Sequence, residues 1–545
     1  MIQIQLSNVT LILGAKRIFE NLNWEIQRGQ KIGLIGLNGA GKSSLFRLIL
    51  GEHSPELGGS VTRARLITTG YLPQQPELDL TLTAFEAALA GNPRATEVHA
   101  ELEQVEESLG DPAIYGDDRK LAGALDRQHR LIEEYNSFGG DSYPERVRSL
   151  LLGLGLAESE LTKPLSMLSG GQKKLVGLAR LLLVRPNVLL LDEPDNHLDL
   201  PGKIYLEKLI REYEGTVVII SHDRYLLDAA VTHIAELEDG KLTLFEGDYS
   251  SYVADKELRL ARQEEVFRAQ QHEITRLEVA IKRFAIWGKV YDNEKFAAQA
   301  KSMQKRLDKM DKIEKPVIDR RRMDLRELNG WRGSNKVLEL AGVSKSFGSE
   351  RVFKDLNQII WHGERVGLIG PNGAGKSVLL RILLGEEKLD KGEVKIGPSV
   401  SIAYYAQEHE TLDFNQTVLD AVRYAGEMSE SRAIAFLLRY LFTYKQVSQK
   451  ISELSGGERS RLQLALLVLS GANFLVLDEP TNNLDIASAE VLEQALTDFV
   501  GSVLVISHDR YFLDRTVQRL LAIENGQLVE YQGGYSDYLE KVNSR

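Results

Sequence analysis

The chain has no cysteine among its 545 residues. That absence excludes disulfide frameworks, thiolate zinc sites, cysteine nucleophiles and thiolate-bound iron–sulfur clusters, and it fits a reducing compartment. A long apolar run is missing too. The longest stretch free of charge, Leu462–Leu477, carries Gln463, Ser470, Gly471 and Asn473; it falls short of the ~20 apolar residues that cross a bilayer. It reads as a helix end turning into a buried strand, so a self-contained transporter is excluded. The opening MIQIQLSNVTLILG has no basic segment ahead of an apolar core, which predicts no secretory signal and a cytoplasmic location. Nor is there an excess of positive charge: 67 Lys+Arg against 78 Asp+Glu give −11, which argues against indiscriminate coating of nucleic acid. At roughly 150 residues per domain, the length predicts about three or four globular units.

What is present is a repeat. IGLNGAGKS at Ile35–Ser43 returns as IGPNGAGKS at Ile369–Ser377, an offset of 334. LSGGQ (Leu168–Gln172) and LSGGE (Leu454–Glu458), LLLDEP (Leu189–Pro194) and LVLDEP (Leu475–Pro480), and two copies of ISHDRY (Ile220–Tyr225, Ile506–Tyr511) all share an offset of 286. Tyr249, Ser250 and Tyr252 match Tyr535, Ser536 and Tyr538. The first copy therefore holds 48 extra residues between its Gly-rich loop and LSGGQ. The expected domains are 1–252 and 336–545, with a connector at 253–335. Each copy reads strand, Gly loop, helix, a helical region, helix, strand, carboxylates, helix and strand. That alternation is α/β, and the short β-branched runs VLLLD and TVVIIS suit a mainly parallel sheet buried on both faces.

Both Gly-rich loops satisfy G-x-x-x-x-G-K-[ST] between a strand and a helix. Glycines there let backbone N–H groups close on phosphate oxygens at a helix N-terminus. The candidate phosphate residues are Gly36, Asn38, Gly39, Gly41, Lys42, Ser43 and Ser44, then Gly370, Asn372, Gly373, Gly375, Lys376 and Ser377. The lysines would hold the β and γ phosphates, and Ser43 and Ser377 would ligate Mg²⁺. A plain βα turn is the bland alternative, which two matches in the right context disfavour. Asp192 and Asp478 would support the Mg²⁺ shell, while Glu193 and Glu479 would orient or deprotonate the attacking water. His222 and His508 follow apolar strands expected beside the carboxylate strands, within reach of the γ phosphate or the water. Ser169 and Ser455, with the glycine pairs Gly170, Gly171 and Gly456, Gly457, would present donors to a phosphate at a helix N-terminus, and Gln172 and Glu458 complete the candidate ATP-binding set.

Together these motifs resemble an ATP-binding-cassette ATPase, twice over. The resemblance implies two ABC-type P-loop NTPase domains with helical subdomains that pack head to tail within a monomer. One ATP would then lie between Lys42 and Glu193 of one cassette and Ser455 and Gly457 of the other, and a second between Lys376 and Glu479 and Ser169 and Gly171. It further implies that Gln74 and Gln407 help hold Mg²⁺ and water, and that Asp199 and Asp485 form the loop after the carboxylates. The family stacks adenine on an aromatic ring; Phe347 fits in the second copy, but the first has Leu13. The first copy also departs at Asp195 and His197, where the second has Thr481 and Asn483.

In the connector, Val253, Leu260, Phe267, Ile274 and Ile281 recur every seven residues, joined by Leu277 and Phe284. Phe296, Ala300, Met303, Leu307 and Met310 form a second stripe. Two helices zipped as an antiparallel α-helical hairpin, turning near Trp287–Asn293, are predicted. The connector carries a net +6 and leaves −17 for the rest; its tip half, Lys282–Lys309, is +5. Charge alone suits a solvated coiled-coil face. A basic tip with Trp287 and Tyr291, between two ATP-driven halves, points instead to RNA contact through Lys282, Arg283, Trp287, Lys289, Lys295, Lys301, Lys305 and Arg306.

The whole arrangement is similar to the ABC-F family of tandem ATPases, down to the GDYSSY that closes the first cassette before a basic helix. That resemblance implies binding at the ribosomal exit site, with the hairpin reaching toward rRNA and P-site tRNA, to regulate or rescue translation. The 48 extra residues match the family's arm, at about 95–138, whose 11 acids and four bases suggest a basic ribosomal protein as partner. The energising subunit of a transporter, an antibiotic-resistance member of the same family and a chromosome-associated cassette ATPase remain as alternatives.

Overall fold

The computed structural model describes residues 1–14, 16–56, 58–110, 114, 116–138, 140–196, 198–290, 294–310, 335–348, 350–405, 412–440, 442–482 and 484–544. They fall into two units, one holding both repeat copies and the other spanning Tyr249–Arg320.

Each copy is built on a six-stranded sheet. In the first, β3 (Lys31–Ile35), β5 (Thr69–Leu72), β6 (Val188–Asp192), β7 (Thr216–Ile220), β8 (His233–Glu238) and β9 (Lys241–Glu246) lie in the order β5-β6-β7-β3-β8-β9. The first five are parallel, and β9 closes the edge antiparallel to β8. Every residue of β3, β6 and β7 is buried, as a strand covered on both faces requires. The second copy repeats the order with β14 (Ile402–Tyr405), β15 (Phe474–Asp478), β16 (Ser502–Ile506), β12 (Arg365–Ile369), β17 (Arg519–Glu524) and β18 (Gln527–Gln532).

Over each large sheet lies a small antiparallel one. In the first copy it is β2 (Lys16–Gln27), β1 (Ile2–Leu13) and β4 (Ser60–Arg63); in the second, β11 (Glu350–Trp361), β10 (Lys336–Phe347) and β13 (Lys391–Ile396). Phe19, Trp24, Phe46 and Val218 share one core in the first copy. Phe353, Leu380, Val476 and Leu504 do so in the second. The hairpin of each small sheet is thereby fixed against the helix that follows the Gly-rich loop.

The extra segment of the first copy contains the helices Pro93–Leu109 and Asp118–Phe138. Asn92 caps the first of these and Pro93 occupies its opening turn, where a missing N–H costs nothing. Val98, Val105, Leu131 and Tyr135 form their own small core, and Arg94 bonds Glu134 at 2.7 Å and Glu101 at 3.0 Å.

In the second unit a helix runs from Tyr249 to Val290 and another from Glu294 to Asp308. The first of these helices takes in Tyr249, Ser250 and Tyr252 of the repeated motif. Burial follows the heptad stripe, with Val253, Leu260, Phe267, Ile274, Ile281 and Phe284 half-buried. Phe284 stacks on Phe296 with ring centroids 6.0 Å apart, and Trp287 meets Phe296 edge-on at 5.8 Å. Farther along, Arg306 bridges Glu273 at 2.8 Å, so the helices run antiparallel. The expected turn residues Tyr291–Asn293 lie outside the described residues, as do the side chains of Lys289 and Ala300. Phe284→Ala removes the ring between Trp287 and Phe296, and the aromatic contacts alone are worth about 1–3 kcal/mol. Amide exchange across 294–308 is expected to accelerate while that of β3 and β12 stays constant; unchanged exchange across 294–308 contradicts this pairing.

Candidate functional site: two phosphate loops facing across the repeat

In each sheet the strand before the Gly-rich loop is central, β3 between β7 and β8 and β12 between β16 and β17. Its C-terminal end is where ligands bind in such sheets. Gly41 (φ 102°) and Gly375 (φ 95°) open the following helices in the left-handed region. A Cβ on Gly41 would lie 2.4 Å from Ile18 Cγ2, and one on Gly375 would lie 2.4 Å from Val352 Cγ1. Both the turn and the overlying hairpin therefore require glycine. Lys42 Nζ donates to the Gly36 and Leu37 carbonyls at 2.7 and 3.2 Å, and Lys376 Nζ to those of Gly370 and Pro371 at 2.8 and 3.1 Å. Burial lowers the pKa of both amines.

β6 and β7 are neighbours, with Asp192 opposite Ile220, and β15 and β16 repeat this with Asp478 opposite Ile506. The carboxylates and histidines are thereby brought beside the Gly-rich loops. Glu193 and Glu479 sit at φ 51° and 48°, a conformation that costs a non-glycine residue about 1–3 kcal/mol. It is held by their N–H groups, which donate to the Ile220 and Ile506 carbonyls at 2.8 and 2.9 Å. Gln74 Nε2 and Asn196 Nδ2 donate to the Glu193 carboxylate at 3.2 and 2.8 Å. The His508 N–H donates to Glu479 at 3.1 Å. The His222 and His508 rings stand 3.8 and 3.5 Å from these glutamates. Burial raises the Glu193 carboxyl and pushes that of Glu479 up to about 7. It pushes His222 down to about 3 and His508 well below its usual value, so both imidazoles are neutral at physiological pH and able to accept a hydrogen bond.

The donors fit a nucleotide with a hard divalent cation. Among the described residues, the buried Asp192 Oδ1 and Glu479 Oε1 have no hydrogen-bond partner. Burial also raises the Asp192 and Asp478 carboxyls, against the pull of nearby Ser43 and Ser377 hydroxyls. Carboxylate and hydroxyl oxygens at the mouth of a phosphate loop are the ligand set that Mg²⁺ takes.

Ser169 caps the helix Gly170–Val184, accepting from the Gln172 N–H at 3.2 Å, while Gln172 Oε1 accepts from the Ser169 N–H at 2.9 Å. Ser455 and Glu458 make the same reciprocal pair ahead of Gly456–Leu469, at 3.4 and 2.7 Å. Glu160 further engages Gln172, and Gln446 engages Glu458. In this structure the Gln172 and Glu458 side chains shape their own loops. Phe347 and Leu13 end equivalent strands, opposite Glu350 and Lys16, and are 49% and 38% exposed. Gln407 and His197 lie outside the described residues.

The two loops face each other's cassettes. Asp485 of the second accepts from the Asn38 N–H in the first loop at 2.9 Å, and Asp199 of the first accepts from the Asn372 N–H at 3.2 Å. Between them the two HDRY segments meet. Arg224 pairs with Glu493 and lies 3.9 Å from the Tyr511 ring centroid; Arg510 pairs with Glu207 and lies 4.8 Å from that of Tyr225. Arg510 also reaches Asp223 at 3.3 Å. Sequence reading gave the histidine of this motif a task and missed its arginine and tyrosine. The available signal was the recurrence of the whole hexapeptide, longer than a lone histidine needs.

The fold and the paired loops define a tandem ATP-binding-cassette ATPase. A family model described as "ABC transporter" matches residues 19–196 and 353–482, and an extension model with the same description matches 235–326. The chain is 35% identical to the putative ATP-binding protein YdiF of Bacillus subtilis, covering 99% of this chain and 83% of the relative. It is 37% identical to the energy-dependent translational throttle protein EttA of Haemophilus influenzae, with 96% and 92% covered. It is 34% identical to ABC transporter F family member 5 of Arabidopsis thaliana, with 99% and 77% covered. The archaeal ribosome recycling factor aABCE1, solved with the stalk protein aP1, shares the fold at a TM-score of 0.61 and 19% identity, over 98% of this chain and 92% of that one. The chain belongs to the F family of ATP-binding-cassette proteins.

Arg224→Ala would leave buried Glu493 with only the largely exposed Arg515 at 3.6 Å and bare the face of Tyr511. Breaking a buried pair in this way costs about 3–5 kcal/mol. A clearly lowered Tm is expected, and an unchanged Tm contradicts the weight given to this contact.

Proposed function

We propose that this ATPase is a cytoplasmic translation factor whose two cassettes close on two ATP molecules and thereby drive the basic hairpin against ribosomal RNA and P-site tRNA. The observation that supports it most is the reciprocal hydrogen bonding of each cassette's aspartate, Asp485 and Asp199, to the other's phosphate loop. Contacts of that kind make nucleotide occupancy and cassette pairing one equilibrium.

In this reading the Gly36–Ser44 and Gly370–Ser377 loops cradle the phosphates, and Lys42 and Lys376 leave their loop carbonyls for phosphate oxygens. Ser43, Gln74 and Asp192, and in the second site Ser377, Gln407 and Asp478, would hold Mg²⁺, whose charge would offset that of the phosphoryl group. Glu193 and Glu479 orient the attacking water, and His222 and His508 hold its partner oxygen in place. Ser169 and Ser455, with the glycines after them, close each site from the opposite cassette. Phe347 supplies a stacking face for adenine in the second site.

The ribosomal assignment is supported by the likeness to EttA, a translational throttle protein. It is also supported by the hairpin's charge. Lys282, Arg283, Lys295, Lys301, Lys305 and Arg306 are exposed, and Arg283 lies 5.2 Å from the Trp287 ring centroid, a pairing of cation and ring suited to phosphate and base. The acidic arm, net −7, suits a basic ribosomal protein. Among the described residues no helix is long and apolar enough to cross a membrane.

Glu193→Gln with Glu479→Gln is expected to retain ATP, lose turnover by at least about 100-fold and accumulate on ribosomes in co-sedimentation; unaltered turnover would falsify the role of these acids. In that background, Lys282→Glu with Lys301→Glu and Lys305→Glu is expected to weaken co-sedimentation with a reduced salt dependence. Retention equal to that of the parent contradicts the RNA contact.

A further inference from the structure

The facing surfaces of the two cassettes are not equivalent. Asp223 and Asp509, Arg224 and Arg510, and Glu207 and Glu493 repeat at the offset of 286, but Asp195 stands where the second copy has Thr481, and Lys203 where it has Ala489. The first cassette thus adds one acid and one base, and both are buried. Asp195 takes Thr481's place beside the equivalent serine: Asp195 is hydrogen-bonded to Ser221, and Thr481 lies 3.4 Å from Ser507. Burial raises the Asp195 carboxyl, and the charge of Lys203 is the largest influence working against that.

The ammonium does more than neutralise Asp195. Lys203 Nζ donates to Asp223 Oδ2 at 2.9 Å and, across the interface, to the His508 carbonyl at 2.9 Å. Burial works against its charge, and Asp223, Asp195 and Asp509 more than offset it, so its pKa stands above the ordinary value. The His508 N–H donates in turn to Glu479, and its ring lies 3.5 Å from the same carboxylate. A fixed charge of the first cassette is therefore bonded to the carbonyl of the residue whose own N–H and ring flank the second site's glutamate. Ala489 has no donor, so the first site receives no such bond from the equivalent position.

We propose that Lys203 is a positioning residue acting in trans: it fixes the His508 loop of the second ATP site when the cassettes are together and leaves the first site without a counterpart. The two sites then differ in kind, the second being completed by the neighbouring cassette's side chain as well as by its signature loop. The inference rests on the composite sites proposed above.

The test uses the full chain, with Lys203→Ala and with Asp195→Thr plus Lys203→Ala, which installs the second copy's own neutral pair and leaves no buried acid without its cation. In nucleotide-free protein, amide exchange at 507–510 is expected to rise about ten-fold in both variants, the loss of one charged hydrogen bond. Exchange in β3 and β12 is expected to remain as in the parent. In a Glu193→Gln background, where only the second site turns over, kcat is expected to fall about ten-fold with KM for ATP within about two-fold. Parental exchange and kcat in the double variant would make Lys203 a counter-ion of Asp195 only, and would overturn the proposal. Equal acceleration in the strands would make the effect a general loosening and overturn it as well. Turnover surviving Glu193→Gln with Glu479→Gln would instead overturn the site assignment and the kinetic arm with it, while the exchange at 507–510 still decides for or against the tether.

Discussion

Two buried arginines hold the repeat together. Arg224 and Arg510 each leave their own HDRY turn, pair with an acid on the other cassette's helix, Glu493 or Glu207, and lie over the other's tyrosine. Neither pair is stable alone in a dry interior, since desolvation takes back most of the Coulombic gain. What makes them hold is satisfaction from several sides: two acids on Arg510, and a ring face against each guanidinium. Because the same turns carry His222 and His508, the contact that joins the halves also sets the position of the histidines beside the glutamates.

Strain is concentrated where chemistry is expected. Glu193 and Glu479 occupy left-handed backbone although neither is glycine, and the neighbouring strand fixes each through one N–H bond. The conformation aims a carboxylate back across the sheet toward the phosphate loop instead of along the strand axis. Burial then holds both carboxyls above their ordinary range and both histidines below it. Uncharged imidazole beside a high-pKa carboxyl is a poised arrangement, one that added positive charge at the loop would shift toward the carboxylate.

Much of this was legible because it is written locally. The phosphate loops follow from glycine, lysine and serine at fixed spacing, and the buried strands from runs such as VLLLD. The hairpin follows from residues seven apart, Val253 through Ile281. The segment charges were legible too: −11 overall divides into +6 on the connector and −17 elsewhere. Contacts that exist only between residues about 300 apart were not. Nothing in the neighbourhood of Arg224 points to Glu493, and Lys203 looks like a surface lysine at the start of an amphipathic helix. The Asp195 departure was visible, but its meaning needed the interface that buries it with Lys203. The reciprocal caps that Gln172 and Glu458 make with Ser169 and Ser455 are written locally as well.

The cassette pairing at the centre of this protein is open to one direct measurement. With no native cysteine, a single pair of spin labels can be placed at exposed Glu52→Cys in the first cassette and Glu453→Cys, just ahead of LSGGE in the second. A distance that shortens when ATP is added to the Glu193→Gln, Glu479→Gln chain, and relaxes after hydrolysis in the chain with both glutamates, is expected of two sites shared between the halves. A distance unmoved by ATP in either chain contradicts it.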